Sequence, residues 1–241
     1  MDSLLIGDVK AHEWNFRFST TTLFEKMQGI VRPDMQLCFK TCEEFLKFLA
    51  NTPEEQQPRG IHGKVDEMLS KDPFVKSLNK KRNLSALKYF KKYRGNEHAK
   101  FHLAAFALSS EHVTEKQKNL VQGLDREINS SKIVLPKGLV VFHGCQDSVL
   151  CDQPYCPTYI STTLHPVVAK NSAIRRARQI TPNGKPSVFI LILKKELPAI
   201  WGHTSHNKIE FELLLPRNLK ICKISSYEAK NLELVSAEID Q

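Results

Sequence analysis

The chain has 241 residues, 41% of them hydrophobic and 25% charged, a balance that lets a globular protein bury a core without disulfide staples. Its apolar runs fall short of the roughly 18 residues a membrane-spanning helix needs, and Met1-Asp-Ser-Leu-Leu-Ile-Gly-Asp-Val-Lys10 places acidic residues where a secretory leader carries basic ones. The formal net charge of +9 permits nucleic-acid binding, but Lys and Arg cluster only over Lys76–Arg94 and at Arg175-Arg176-Ala177-Arg178, where a solvated helix face is the simpler account.

The first half reads as helical. Thr41-Cys-Glu-Glu44 has the form of a capping box, with Phe45, Leu46, Phe48 and Leu49 following at helical spacing. Cys38 and Cys42, also at helical spacing, read as small core residues. Asn51–Arg59, with two prolines and a Glu/Gln run, predicts an exposed connection. We therefore divide the chain into a helical N-terminal extension, residues 1–80, and a second unit, residues 81–241. Leu84, Leu87 and Phe90, then Phe101, Leu103, Phe106 and Leu108, predict further helix, turned at Arg94-Gly-Asn-Glu97. Thr114-Glu-Lys-Gln117 is a second capping box, opening an amphipathic helix through Leu120, Val121, Leu124 and Ile128.

After Pro136 short β-branched or apolar runs take over: Gly138–Phe142, Tyr159–Thr163, Ser187–Leu193, Ile209–Leu215, Leu219–Ile224 and Leu232–Ile239. One helix, over His165–Gln179, interrupts them. Helices first and strands afterwards predict an α+β fold rather than an alternating parallel sheet. The sequence shows no glycine-rich phosphate loop, which argues against dinucleotide binding in the Rossmann manner. Cys145, Cys151 and Cys156 lie near His143 and His165, but their spacing matches no paired Cys-x-x-Cys pattern, so reduced thiols and no metal are expected.

Three strand-borne elements carry candidate chemistry. Val140-Val-Phe-His-Gly144 ends in a polar ring followed by glycine, which permits close approach of a ligand or a neighbouring backbone. Tyr159-Ile-Ser-Thr-Thr163 puts hydroxyls at the end of a short strand. In Glu210-Phe-Glu212, strand alternation predicts that the two carboxylates share one face while Ile209, Phe211 and Leu213 face the core. Taken singly, each has an ordinary reading: a hydrogen-bonded core histidine, an exposed hydroxyl face, the wet side of an amphipathic strand.

In their order and surroundings they resemble the toxin-like mono-ADP-ribosyltransferases, whose pattern is Arg on one strand, Ser-Thr-Ser on another, and Glu-x-Glu at the catalytic strand. The resemblance runs from about Leu84 to Ser236. It is carried by Leu124-Asp-Arg-Glu-Ile128, Leu139–Gly144, Tyr159-Ile-Ser-Thr-Thr-Leu-His-Pro166 and, most specifically, Ile209-Glu-Phe-Glu-Leu-Leu-Leu-Pro-Arg217. It implies two packed, mostly antiparallel sheets enclosing a cleft for NAD, the co-substrate. The implied catalytic residues are Glu212, beside the ribose, and Glu210, acting on the acceptor. His143, Gly144, Ser161 and Thr162 are implied to bind NAD, and the loop Leu197–Lys208, with Trp201 and Gly202, to present the acceptor. Arg175, Arg176 and Arg178 follow the second motif, where a pyrophosphate could lie. The sequence departs from the pattern at His143, where the paired-glutamate branch carries Arg; His followed by Gly resembles instead the branch of diphtheria toxin and the poly-ADP-ribose polymerases. Thr163 replaces the final Ser.

The activity so implied is transfer of one ADP-ribose from NAD to a side chain of a target protein, with release of nicotinamide. The extension would recognise the target, as in cytosol-acting effectors delivered into a host cell by a leaderless route. Two other readings remain open: the same fold acting on nucleic acid, which the basic balance favours, and a binding module without activity, which the His143 departure favours.

Overall fold

The computed structural model describes residues 17–18, 21–22, 49–51, 65–66, 69–108, 113–146, 155–180, 184–202, 210–229 and 231–240. Thr41–Glu44, Cys38, Cys42, residues 52–59, Cys151 and residues 203–208 of the expected acceptor loop lie outside them. Helices precede strands over most of the described chain, as the α+β reading expects. An exception is the two-residue pair β1 (Arg17–Phe18) with β2 (Thr21–Thr22).

Helix α1 (Pro73–Lys81) starts where local chemistry dictates. Asp72 caps it, its carboxylate accepting from Phe74 N at 2.7 Å and Val75 N at 3.3 Å, while Pro73 fills a first-turn position that needs no donor. Its Val75 and Leu78 join Leu49, Val65 and Leu69 in the same core as the strands. The division expected at residue 80 thus falls inside a helix that packs on the sheet.

Helices α2 (Lys88–Arg94), α3 (His98–Ala107) and α4 (Glu115–Asn129) follow, with the turn at residues 95–97 between the first two. The Thr114–Gln117 capping box forms in both directions. Helix α2 has no cap of its own. The Glu127 carboxylate of α4 supplies one, accepting from Tyr89 N and Phe90 N at 2.8 Å each. Gly123 lets the Tyr89 ring lie flat against α4, where an added Cβ would come within 2.4 Å of it. One helix therefore fixes both the start and the seating of another.

The strands are β3 (Val134–Leu135), β4 (Val140–Gln146), β5 (Ile160–Thr163), β6 (Pro186–Leu193), β7 (Leu197–Pro198), β8 (Ile200–Trp201), β9 (Glu212–Leu215), β10 (Lys220–Ala229) and β11 (Leu232–Asp240). Seven are hydrogen-bonded in the order β10-β11-β6-β4-β5-β9-β8, and β3 pairs separately with β7. All neighbours are antiparallel except β11 with β6. At the β4–β5 junction Phe142 opposite Thr163 is the registered pair. The array accordingly divides there into a four-stranded and a three-stranded sheet.

Helix α5 (Pro166–Ile180) packs on β4 and β6. Gly144 makes this possible, because a Cβ there would lie 1.9 Å from the Ala169 carbonyl oxygen. The three-stranded sheet is covered on one side by α2, α3 and α4: Phe90, Tyr93, Phe101, Val121, Leu124 and Ile128 pack with Tyr159, Ile200 and Leu214. Fully burying each such large apolar side chain contributes about 1.5–3 kcal/mol. Among the described residues, no helix is long and apolar enough to cross a membrane.

Candidate active site

Strand register brings Ser161 and Glu212 together. Ser161 lies opposite Leu214 and Thr163 opposite Glu212, so these four share the face that looks toward the helices, and Ser161 and Glu212 are diagonal neighbours. The Ser161 hydroxyl donates to Glu212 Oε1 at 2.9 Å. The other oxygen, Oε2, is buried and makes no hydrogen bond among the described residues. Room for it comes from Gly202, where a Cβ would stand 2.6 Å from Oε2 and 3.0 Å from Phe90. One carboxylate oxygen is thus held and the other keeps its lone pairs.

The Glu212 side chain is 13% exposed. Burial raises its pKa above the ordinary glutamate value; the Arg94 charge and the Ser161 hydrogen bond oppose this, and the Glu210 charge adds to it.

Arg94, at the end of α2, is the site residue that sequence reasoning missed. Its Nη2 lies 2.9 Å from Glu210 Oε2, its Nε 3.1 Å from Glu212 Oε2, and its Nη1 donates to the Gly202 carbonyl. The Nε contact is a charge contact without hydrogen-bond alignment. No motif marks Arg94; it stands in a basic run that looks like a solvated face. The signal that could have found it is indirect: Glu127 and Gly123 on α4 seat α2 and so aim its last residue.

The expected shared strand face of Glu210 and Glu212 is corrected by the backbone. The strand begins at Glu212, and Phe211 has φ +38° with a fully buried ring. Glu210 therefore precedes the strand, 48% exposed, with its backbone carbonyl accepting from the Thr163 hydroxyl at 2.6 Å. The carboxylates still converge, because Arg94 spans them.

On β4, His143 is almost wholly buried and its Nδ1–H donates to the Ser161 carbonyl at 2.6 Å. That bond fixes the tautomer and leaves Nε2 as an acceptor. Burial, together with the Arg176 charge, lowers its pKa to about 4, against a smaller raising by the Ser161 bond. Nearby, the Tyr93 hydroxyl, His102 Nε2 and His98 Nε2 form a chain with separations of 3.1 and 3.2 Å. Burial pushes both α3 histidines down, His102 to about 4; the Arg176 charge adds to the effect in each, and those of His98 and His143 also act on His102. Arg176, half-buried on α5, is thus the positive charge shared by three neutral rings, while Arg175 and Arg178 are exposed.

The remaining expected residues take supporting places. Gly144 serves the approach of a neighbouring backbone, that of α5. Thr162 lies on the opposite face from Ser161, buried, and its hydroxyl donates to the Leu213 carbonyl at 2.9 Å, so it braces β9 rather than meeting a ligand. Trp201, which the resemblance assigns to the acceptor-presenting loop, pairs with Leu213 in the sheet, is fully buried and donates from Nε1 to Asn79 Oδ1 at 2.8 Å. Gly202 clears space for Glu212. His165, beside the thiols in sequence, accepts from Val167 N and Val168 N at the start of α5. Cys145 and Cys156 are buried and outside any disulfide, and the described residues contain no group of His, Cys, Asp or Glu that could hold a metal.

No protein-family model matches the sequence, and neither does any curated protein. Solved structures do. ADP-ribosyltransferase Vis, in complex with the M6 inhibitor, is 16% identical over 77% of this chain and 88% of that one, with a TM-score of 0.53. A second structure of Vis, a toxin from Vibrio splendidus, is 14% identical over 78% and 89%, at 0.49. The C3larvin toxin of Paenibacillus larvae, also an ADP-ribosyltransferase, is 17% identical over 69% and 92%, at 0.47. The first likeness establishes that the chain has the ADP-ribosyltransferase fold.

Proposed function

We propose that this protein is a mono-ADP-ribosyltransferase, moving ADP-ribose from NAD to a side chain of a target protein and releasing nicotinamide. The observation that carries the reading is the state of Glu212: Oε1 held by Ser161, Oε2 buried but without a hydrogen bond among the described residues, in a chain with this fold. Cleaving the bond from nicotinamide to ribose develops positive charge on the sugar, as glycoside cleavage does. A fixed carboxylate stabilises that charge more in the transition state than in the ground state. Oε2 is suited to accept from a ribose hydroxyl, and Ser161 keeps the group from turning away.

Glu210, more exposed, takes the proton of the incoming acceptor as general base. His143, neutral and with Nε2 free of the Ser161 bond, accepts from an NAD hydroxyl. Arg176 provides the charge for the pyrophosphate that Arg at position 143 would otherwise meet. The neutral rings around it suit that role, since they add hydrogen-bonding groups without protons that would need a counter-ion. The residues after Gly202 present the acceptor, and the N-terminal residues select the target; an effector or toxin acting in a host cytosol fits this arrangement.

Incubation with labelled NAD and candidate cell lysates, followed by mass spectrometry, tests the reading. Label on protein that disappears with Glu212→Gln is the expected result. Glu210→Gln should lose transfer while keeping more of the NAD hydrolysis, because water needs no guided protein acceptor. Neither nicotinamide release nor label with any acceptor would sink the proposal.

A further inference from the structure

Arg94 reaches the paired glutamates in the manner of a substrate. Its guanidinium is oriented from three directions, by Glu210 Oε2 on Nη2, Glu212 Oε2 on Nε and the Gly202 carbonyl on Nη1. Nη2 is the nitrogen that meets the glutamate assigned to deprotonate acceptors, at 2.9 Å. The side chain is 18% exposed and Glu210 48%, so the pair sits at the mouth of the site rather than in its core. Arg94 also ends its helix, directly before the turn at residues 95–97, where the Gly95 N–H closes onto the Lys91 and Lys92 carbonyls.

We propose that Arg94 is an internal acceptor: given NAD, the protein ADP-ribosylates its own Arg94. The inference rests on the transferase reading of the same site. Nη2 forms a bond to C1′ of the nicotinamide ribose as the bond from C1′ to the nicotinamide nitrogen breaks. The bonding pair leaves on nicotinamide, which departs neutral, and the proton shed by the guanidinium passes to the Glu210 carboxylate and on to solvent. No further reagent is needed. Because nucleophile and base are already in contact, the step is intramolecular and gains the rate advantage of a held geometry. The product carries its bulk at the mouth of the site and takes the guanidinium from between the carboxylates, so an outside acceptor would then meet Glu210 without competition.

The test is incubation of the full chain with NAD and no other protein, with nicotinamide release followed in the same samples and the label mapped by peptide fragmentation. The expected result is one ADP-ribose per chain on Arg94, formed at a rate per chain that stays constant over about a tenfold range of protein concentration, as an intramolecular step requires. Glu212→Gln should give no label, and Arg94→Lys none at this position. Release of nicotinamide with Arg94 unmodified overturns the inference and leaves the transferase reading standing. So does label on the exposed Arg175 or Arg178 that increases with protein concentration. Absence of nicotinamide release removes both. An ion pair that only balances two carboxylates would acquire no label under any of these conditions.

Discussion

Glu212 on β9 and His143 on β4 lie on strands of the two joined sheets, both nearly shut off from solvent, yet burial drives their titrations in opposite directions. It pushes the carboxyl up and the imidazole down to about 4, each toward its neutral form. What differs is the company. Around Glu212 the Arg94 charge and the Ser161 hydroxyl pull back toward the ionised form. Around His143 the Arg176 charge reinforces neutrality, and the Ser161 carbonyl opposes it only weakly. Ser161 serves both sides, its hydroxyl holding the carboxylate and its carbonyl holding the ring. One half of the site is built to keep a charge out of water, the other to keep a hydrogen-bonding group uncharged.

The largest effect that could break this contrast is Glu212→Gln, which should lower NAD cleavage by about 10³-fold, the scale of losing one preorganised electrostatic contact. A loss of less than tenfold would show that the charge does not act on the reaction. Next comes Ser161→Ala. Removing a hydrogen bond to a charged group costs about 1.5–3 kcal/mol, so turnover should fall about 10- to 100-fold. The pH profile sharpens the point. The proposed chemistry needs Glu212 as the carboxylate and its pKa is raised, so activity should fall with decreasing pH at a higher pH than for an ordinary glutamate. Since the Ser161 bond lowers that pKa, its loss should move the acidic limb higher still; an unmoved limb would separate Ser161 from the charge.

On the histidine side, His143→Asn keeps a donor for the Ser161 carbonyl and removes Nε2. It should raise the KM for NAD about tenfold, the worth of roughly one hydrogen bond, with little change in kcat. A fall in kcat at unchanged KM would put His143 in the chemistry instead. The smallest expected effect lies away from the cleft. Burial raises the Asp66 pKa to about 7, and its Oδ1 lies 3.6 Å from His165 Nε2. A carboxyl whose folded pKa is raised stabilises the fold below its ordinary pKa, near 4, and that contribution is lost as pH rises through about 7. Thermal stability should therefore decline from about pH 4 to about pH 7, and Asp66→Asn should flatten the decline; an unchanged slope would point to another group.

Much of the fold could be read from pattern alone, because strand and helix periods are local. The strands expected over Tyr159–Thr163 and Ser187–Leu193 and the helix expected over His165–Gln179 stand within a residue of their places, while the strand expected over Gly138–Phe142 runs from Val140 to Gln146. The site was legible where it is borne on those elements: Ser161 and Glu212 are diagonal neighbours as a consequence of register. It failed at Phe211, whose positive φ no alternation rule anticipates for an aromatic residue. It failed again at Trp201, which the family resemblance placed on a loop and packing placed in the core.

The sequence by itself determined which residue types stand in which order: the Ser-Thr-Thr strand, the Glu-Phe-Glu at the head of another, and a histidine where a guanidinium is expected. Tertiary structure decided which guanidinium reaches the paired glutamates. Arg94 is 116 residues from Glu210 in the chain and reaches it only because Glu127 caps α2 and Gly123 admits Tyr89. A contact of that separation depends on how two layers pack, and packing distributes its cause over many residues, none of which announces it.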